Sequence, residues 1–369
     1  MRVEPVASPD GLDLFLDVPG RLRGDEPGFV APLRAVDARD LAGLGTLARS
    51  TAVQGFLALD SNGEPLGRIA ALFNPRLTDP AGASVGQLGW FESIDDVAVA
   101  GALVGAAGAW LASRGARTLW GPMNGGVHRP HRFLVRGFDR PPFLFEPRNP
   151  PHYPRLFERL GFRSIVTWRS YEFDRAVAGS LLPVFAAGER RCLGRGKYRP
   201  EPLAAAGDAA TVLARLHALI TSVWAGHPGF TAFDRDEFVE TYAGVLAILP
   251  PGYVGVASEV GFGDVALALA YPNWVEEARG LAGDATRWAA WMTLGRPLPP
   301  EVVLHTVAIH PRARHGGVAA MVLRHGLELV VRDGYERGII GLAIESLGRF
   351  ERALDATREY ALFARAAAC

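Results

Sequence analysis

Residues 301–334 read EVVLHTVAIH PRARHGGVAA MVLRHGLELV VRDG. The run from Val302 to Ile309 has the length and β-branched content of an enclosed strand. A turn follows, built from Arg314, His315 and the pair Gly316-Gly317. From Val318 the apolar residues recur at helical spacing, and Asp333-Gly334 ends the pattern. A strand that turns directly into a helix leaves the first backbone N–H groups of that helix without partners, at the positive end of its dipole. Such a place receives oxyanions. Small residues at Gly317 and Ala319 leave room for phosphate oxygens, and Arg314 can add a charged contact.

The same strand–turn–helix order occurs once more. Residues 89–110 read GWFESIDDVAVAGALVGAAGAW. There the turn is Ile94-Asp95-Asp96-Val97-Ala98, with no basic residue and no glycine. Two carboxylates at that place repel a diphosphate.

Around these two stretches the chain reads as one order of elements, written twice. In the first half, QGFLALD and LGRIAALF flank an Asn-Gly turn and form a hairpin. VGQLGWFES is the next strand, DDVAVAGALVGAAGAWLASRG a helix, RTLWGP a strand, NPPHYPRLFERLGF a short helix capped by Asn149 and ended by Gly161, and SIVTWRSYEF a closing strand. In the second half GKYRPEPL reads as a strand, and DAATVLARLHALITSVW and DRDEFVETYAGVLAIL as helices. GYVGVASE and DVALALAY form a hairpin. The strand–turn–helix of residues 301–334 comes next, then RGIIGLAI as a strand, SLGRFERALD as a helix and REYALFAR as a closing strand. WVEEARGLAGDATRWAAWMTLGR is an inserted helical segment. Residues 176–196 are the junction, which divides the chain into 1–178 and 179–369.

The bulk numbers suit this reading. At 369 residues the chain exceeds what one core usually serves. Apolar residues make up 49%, enough to bury. Lys+Arg and Asp+Glu are both 39, so no net field attracts DNA or an anionic membrane. Lys197 is the one lysine, so single arginines carry little weight as phosphate ligands. The two cysteines, Cys192 and Cys369, suggest neither a disulfide framework nor a zinc site. No run reaches the ~18 apolar residues of a membrane span, and the first residues lack a secretory core. A cytoplasmic protein is expected.

Arg314-x-x-Gly317-x-Ala319, with its strand before and helix after, resembles the R/Q-x-x-G-x-G/A turn of the GNAT acyltransferase superfamily. The pieces LGRIAAL, GWFES, WGPMN and NPPHYPRLFERLGF are similar to a bacterial group of GNAT-like proteins. The resemblance implies an α/β (α+β) chain of two tandem GNAT-like domains, each a mixed, mostly antiparallel sheet flanked by helices. It also implies that the second binds acyl-coenzyme A, while the first has a degenerate turn and shapes the acceptor pocket.

In that family the turn grips the pyrophosphate, here through Arg314, His315, Gly316, Gly317, Val318 and Ala319. The pantetheine arm pairs with the strand holding Val307 and Ile309. Acetyl-coenzyme A or another acyl-coenzyme A is then the co-substrate, and a small-molecule amine the acceptor. The amine attacks the thioester after losing a proton, a backbone N–H near Val307 polarises the carbonyl, and the thiolate is reprotonated. The family's usual tyrosine acid falls at Phe350 in this sequence, with Tyr360 nearby in the closing strand. His305 and Glu345 are the candidate bases.

Each of these residues has a plainer reading. The turn can be an ordinary tight connection, His305 a satisfied core histidine and Glu345 a helix-start acid. His128 and His131, in HRPH, tempt a metal reading but lack a third ligand, so no metal is expected. ERRCLGRGKYR, residues 189–199, is a solvated linker or a phosphate contact. Trp274, Trp288 and Trp291 are core packing or the wall of an apolar site. Two rival functions remain: transfer from aminoacyl-tRNA, which the absence of net positive charge disfavours, and a non-catalytic coenzyme A-binding regulator, which Phe350 favours. The chain is expected to be a monomer or homodimer.

Overall fold

A computed structural model describes residues 1–202, 208–250, 252–344 and 354–367. Two halves of similar construction share one 13-stranded sheet. The first half contributes β1 (Arg2–Pro5), helices α1 (Pro9–Arg23) and α2 (Arg34–Leu41), strands β2 (Ala52–Leu59), β3 (Pro65–Thr78) and β4 (Ser84–Ser93), then α3 (Val97–Ala112), β5 (Thr118–Gly121), β6 (Phe133–Arg136), α4 (His152–Arg159) and β7 (Arg163–Asp174). The second contributes α5 (Arg175–Leu193), β8 (Tyr198–Pro202), α6 (Ala209–Trp224), α7 (Arg235–Ile248), β9 (Val254–Glu259), β10 (Gly263–Pro272), α8 (Val275–Leu281), α9 (Ala285–Met292), β11 (Glu301–Ile309), α10 (Val318–Arg332), β12 (Arg337–Ile344) and β13 (Ala356–Ala366).

The order across the sheet is β1-β2-β3-β4-β5-β13-β7-β12-β11-β10-β9-β8, with β6 also on β13. The two closing strands are therefore exchanged. β13, from the end of the chain, pairs with β5 in register Phe363↔Gly121. β7, from the first half, pairs with β12 in register Ile340↔Tyr171 and Ile344↔Trp168. They meet each other antiparallel at the centre, Tyr360 opposite Trp168. In chain order the elements fall into two successive halves, but in the sheet each half is completed by a strand from the other.

Within each half one parallel pair forks. β4 pairs with β5 only over Val85–Gln87, and β11 pairs with β12 only over Glu301–Leu304. Beyond those residues the partners diverge. A β-bulge lies at each fork. Between β10 and β11, Leu269 faces Thr306 and Ala270 faces Leu304, so His305 is the extra residue. Between β3 and β4 the register slips across Trp90 and Phe91, and Trp90 takes a positive φ of 45°.

Several local expectations hold. Gly63 takes φ +87° in the first hairpin turn, Gly161 takes φ +85° just past α4, and Asp96 caps α3 by accepting the Ala98 amide at 2.7 Å. Others need correction. Asn149 does not cap α4; its amide is buried and bonds both backbone groups of Leu134. Residues 176–196, the expected junction, form most of α5, which packs on α10 and buries Glu189 and Cys192. ERRCLGRGKYR is accordingly the end of a packed helix and the entry to β8, with Tyr198 buried. The helix expected from SLGRFERALD, with Phe350, lies outside the described residues apart from its end.

Candidate functional site at the second fork

α10 starts where β11 turns away from β12. Its first residue follows Gly317, which takes φ +86°, and no side chain caps its N–H groups. α3 in the first half is the contrast, since its own Asp96 carboxylate occupies that place. Arg314 and His315 are exposed beside the open helix end, and Arg314 has no ion pair or side-chain hydrogen bond among the described residues. The two glycines serve different ends. Gly317 supplies the left-handed backbone. Gly316 lets Tyr198 approach, since a Cβ there would fall 2.8 Å from Tyr198 Cε2. Val318 is buried beneath the turn and Ala319 half-buried.

The forks differ in content as well. The first is filled by its own chain: the Met123 amide donates to Leu88 O at 2.8 Å, the Gly125 amide to Gln87 Oε1 at 3.1 Å, and Asn124 Oδ1 accepts the Trp90 amide at 2.9 Å. Below it, buried Glu92 is held by Tyr153 Oη at 2.6 Å and Arg23 Nη1 at 3.4 Å. In the second fork a small apolar crevice runs between β10, β11 and α10, lined in part by Leu304, Thr306, Val307, Val322 and Ile340. Val307 is 37% exposed and Ile309 half-buried.

On the opposite side of the fork, residues 121–149 of the first half cross onto the second. The Leu144 amide donates to Asn273 Oδ1 at 2.8 Å and Tyr271 Oη donates to Leu144 O at 2.7 Å. Phe145, with φ +63°, rests edge-on against Tyr271 at 5.5 Å between centroids. Leu342 of β12 also takes a positive φ, 58°, and its amide donates to Ser170 Oγ at 3.0 Å. Two strained non-glycine residues thus face this seam, a pattern common where substrates bind.

His305 looks into the seam, 5.5 Å from Tyr271 between centroids, with Nδ1 3.0 Å from Thr306 Oγ1. Burial, then the positive charge of Arg132, pushes its pKa down to about 4. It is a neutral imidazole at neutral pH and a weak base. Tyr360 is fully buried between β5, β6 and β7. Its hydroxyl donates to Glu146 Oε1 at 2.6 Å, and desolvation and that carboxylate raise its pKa well above the ordinary phenol value. Glu345 lies outside the described residues.

HRPH joins the halves. His128 Nε2 meets Glu237 Oε1 of α7 at 3.1 Å, and His131 sits 6.4 Å from His227 between ring centroids. No group of three metal-ligating side chains occurs among the described residues, and no described helix is long and apolar enough to cross a membrane. Trp274 is buried, while Trp288 and Trp291 are half-buried against it, with Arg296 stacked 3.7 Å from the Trp291 centroid. Of the seam's other polar residues, His131 was weighed only as a metal ligand, while Arg132, His227 and Glu146 escape sequence reading. The only hint is the His-Arg-Pro-His-Arg run, which carries no period and no family spacing.

This arrangement is the tandem GNAT fold. A tandem GNAT protein from the clavulanic acid biosynthesis pathway superposes with a TM-score of 0.51 at 12% identity, covering 100% of this chain and 99% of its own. Among curated sequences, Protein YghO of Escherichia coli (strain K12) is 26% identical over 280 residues, 74% of this chain and 68% of that protein. Bacterial ceramide synthase of Caulobacter vibrioides is 30% identical over 177 residues, 47% of this chain and 46% of the synthase. No family model matches the sequence.

Proposed function

We propose that the chain is an N-acyltransferase, taking an acyl group from acyl-coenzyme A at the second fork and passing it to an amine held in the seam. The observation that carries this reading is the open, uncapped start of α10 at the mouth of the β11–β12 fork, beside unpaired Arg314. It has the components a diphosphate needs: free N–H groups, a dipole and a guanidinium. The exposed backbone edge of β11 near Val307 then receives the pantetheine arm. The match to a ceramide synthase supports the reaction class, because a ceramide is an amide of a long-chain amino alcohol.

In the reaction the amine nitrogen forms a bond to the thioester carbon and the C–S bond breaks. The nitrogen's proton leaves to solvent or a base, and the thiolate takes a proton. Past the His305 bulge a backbone N–H of β11 stabilises the carbonyl oxygen as it gains charge. Neutral His305 orients the amine by accepting its hydrogen, and a proton so transferred passes on readily because the imidazole is a weak base. Residues 121–149 of the first half wall the acceptor side, so the degenerate half contributes shape rather than donor binding.

Titrating the protein with acetyl-coenzyme A and with a long-chain acyl-coenzyme A tests this reading. Micromolar binding that Arg314→Glu weakens at least tenfold is expected. Failure of the native protein to bind any acyl-coenzyme A would remove its basis.

A further inference from the structure

Arg132 lies in the seam, stacked on Trp168 with its guanidinium carbon 4.2 Å from the ring centroid. Its Nη2 donates to His131 Nε2 at 2.5 Å. His131 Nδ1 donates to Arg129 O at 2.8 Å, which fixes the ring as neutral with Nε2 the acceptor. Arg132 Nε and Nη1 are shut off from solvent and have no hydrogen-bond partner. No carboxylate pairs with it among the described residues. Glu146, which accepts the hydroxyl of neighbouring Tyr360, is already taken by Arg358 at 3.2 Å and Arg148 at 3.9 Å.

Arg132 is half-buried as a residue, and the three arginines buried more deeply each find a carboxylate. Arg23 and Arg68 share Glu92 within 4.0 Å, and Arg358 pairs with Glu146 and Glu172. Around Arg132 stand His131, His227, His305 and Tyr360, all uncharged at neutral pH. His227 donates from Nδ1 to Pro228 O at 2.8 Å and stacks on Trp168, leaving no charge to offer. Enclosing a cation without a counter-charge costs several kcal/mol, and one aromatic face offsets only part of it. A fold keeps such a cation where a ligand brings the missing charge.

We propose that Arg132 receives an oxyanion, a carboxylate or phosphate, carried by the amine acceptor and lodged in the seam beside His305. This rests on the acyl-transfer reading for the word acceptor; the anion site itself rests on Arg132. The pKa of Arg132, pushed down to about 9 by burial, agrees with a charge held under strain until a ligand arrives.

Two measurements on the full-length protein test it. The first is transfer from acyl-coenzyme A to matched amines: phenylalanine against phenethylamine, and phosphoethanolamine against ethanolamine. The native protein should favour the anionic member of one pair at least tenfold in kcat/KM. The pair that shows the preference tells carboxylate from phosphate. In Arg132→Gln the preference should fall to near one, and Arg132→Lys should restore part of it. The second needs no turnover. Without ligand, Arg132→Leu should raise Tm, because it removes an unpaired buried charge, whereas an arginine that holds the fold together would lower Tm on replacement. Acetate or inorganic phosphate should raise the Tm of the native protein and leave that of Arg132→Leu unmoved. Equal rates for charged and neutral amines, with no anion-dependent rise in Tm, would overturn the anion site and leave acyl transfer standing. An Arg132-dependent rise in Tm without transfer to any amine would uphold the anion site and sink acyl transfer.

Discussion

Ile344 of β12 stands opposite Trp168 of β7, and through that register a strand from the chain's first half closes the sheet of its second. Phe363 opposite Gly121 repeats the exchange in reverse. Neither half can pair all its backbone groups alone.

The exchange predicts one cooperative unfolding event. Calorimetry of the full chain should show a single transition with equal calorimetric and van't Hoff enthalpies. Residues 1–178 and 179–369, produced separately, should be poorly folded and should regain that transition when co-expressed. Two resolved transitions in the intact protein would contradict it.

The two helix starts should respond in opposite ways to mutation. Asp96→Ala removes a cap and should cost α3 about 1 kcal/mol of stability without changing acyl-coenzyme A affinity. Gly317→Asp places a carboxylate at the open head of α10. It should weaken acyl-coenzyme A binding at least tenfold, read by calorimetric titration.

Gly316 is needed for packing against Tyr198, so Gly316→Ala should lower stability by about 1–3 kcal/mol. Tyr198→Phe removes the hydroxyl, the atom that approaches closest. The double variant should therefore recover part of the loss in urea unfolding. A loss of the same size with either ring would place its cause in the backbone.

Three seam histidines, His131, His227 and His305, have pKa values below the usual 6.5, each chiefly through burial, and His305 lies near 4. The unfolded chain then binds more protons than the folded one between about 6.5 and 4. Their contribution is fully present above 6.5 and is lost as pH falls through that window. Urea midpoints measured from pH 7.5 to 5 should fall, and His305→Gln should flatten the slope.

Tyr360 donates its hydroxyl to Glu146 and is closed off from solvent. Tyr360→Phe should cost about 1 kcal/mol of stability and lower kcat/KM by less than tenfold. A proton-donor role would cost on the order of 10²–10⁴-fold.

Local chemistry made much of this fold legible. An Asn-Gly pair marked the first hairpin, Gly161 marked a helix end, and residues 301–334 gave a strand, a glycine turn and a helix in the expected order. What stayed hidden was non-local. Strand exchange leaves no mark on the periodicity of residues 163–174 or 356–366, because a strand's alternation reports burial and not its neighbour. Asn149 looked like a cap since its sequence neighbours are Pro150 and Pro151, yet Leu134, fifteen residues back, claimed its amide. Arg132 was discounted with every other arginine in an arginine-rich chain. What marks it is a guanidinium stacked on Trp168 with two enclosed nitrogens and no carboxylate, and that is a property of three-dimensional surroundings.

The polypeptide lodged in the first fork has a further meaning. Met123 and Gly125 offer amides to β4 much as an extended diamide arm would offer its own to β11. In the first half the polypeptide itself thus fills the fork, and its entropy is lost once, at folding. If the proposed donor pairs with β11, the first half shows in its own backbone the pattern that pairing would follow.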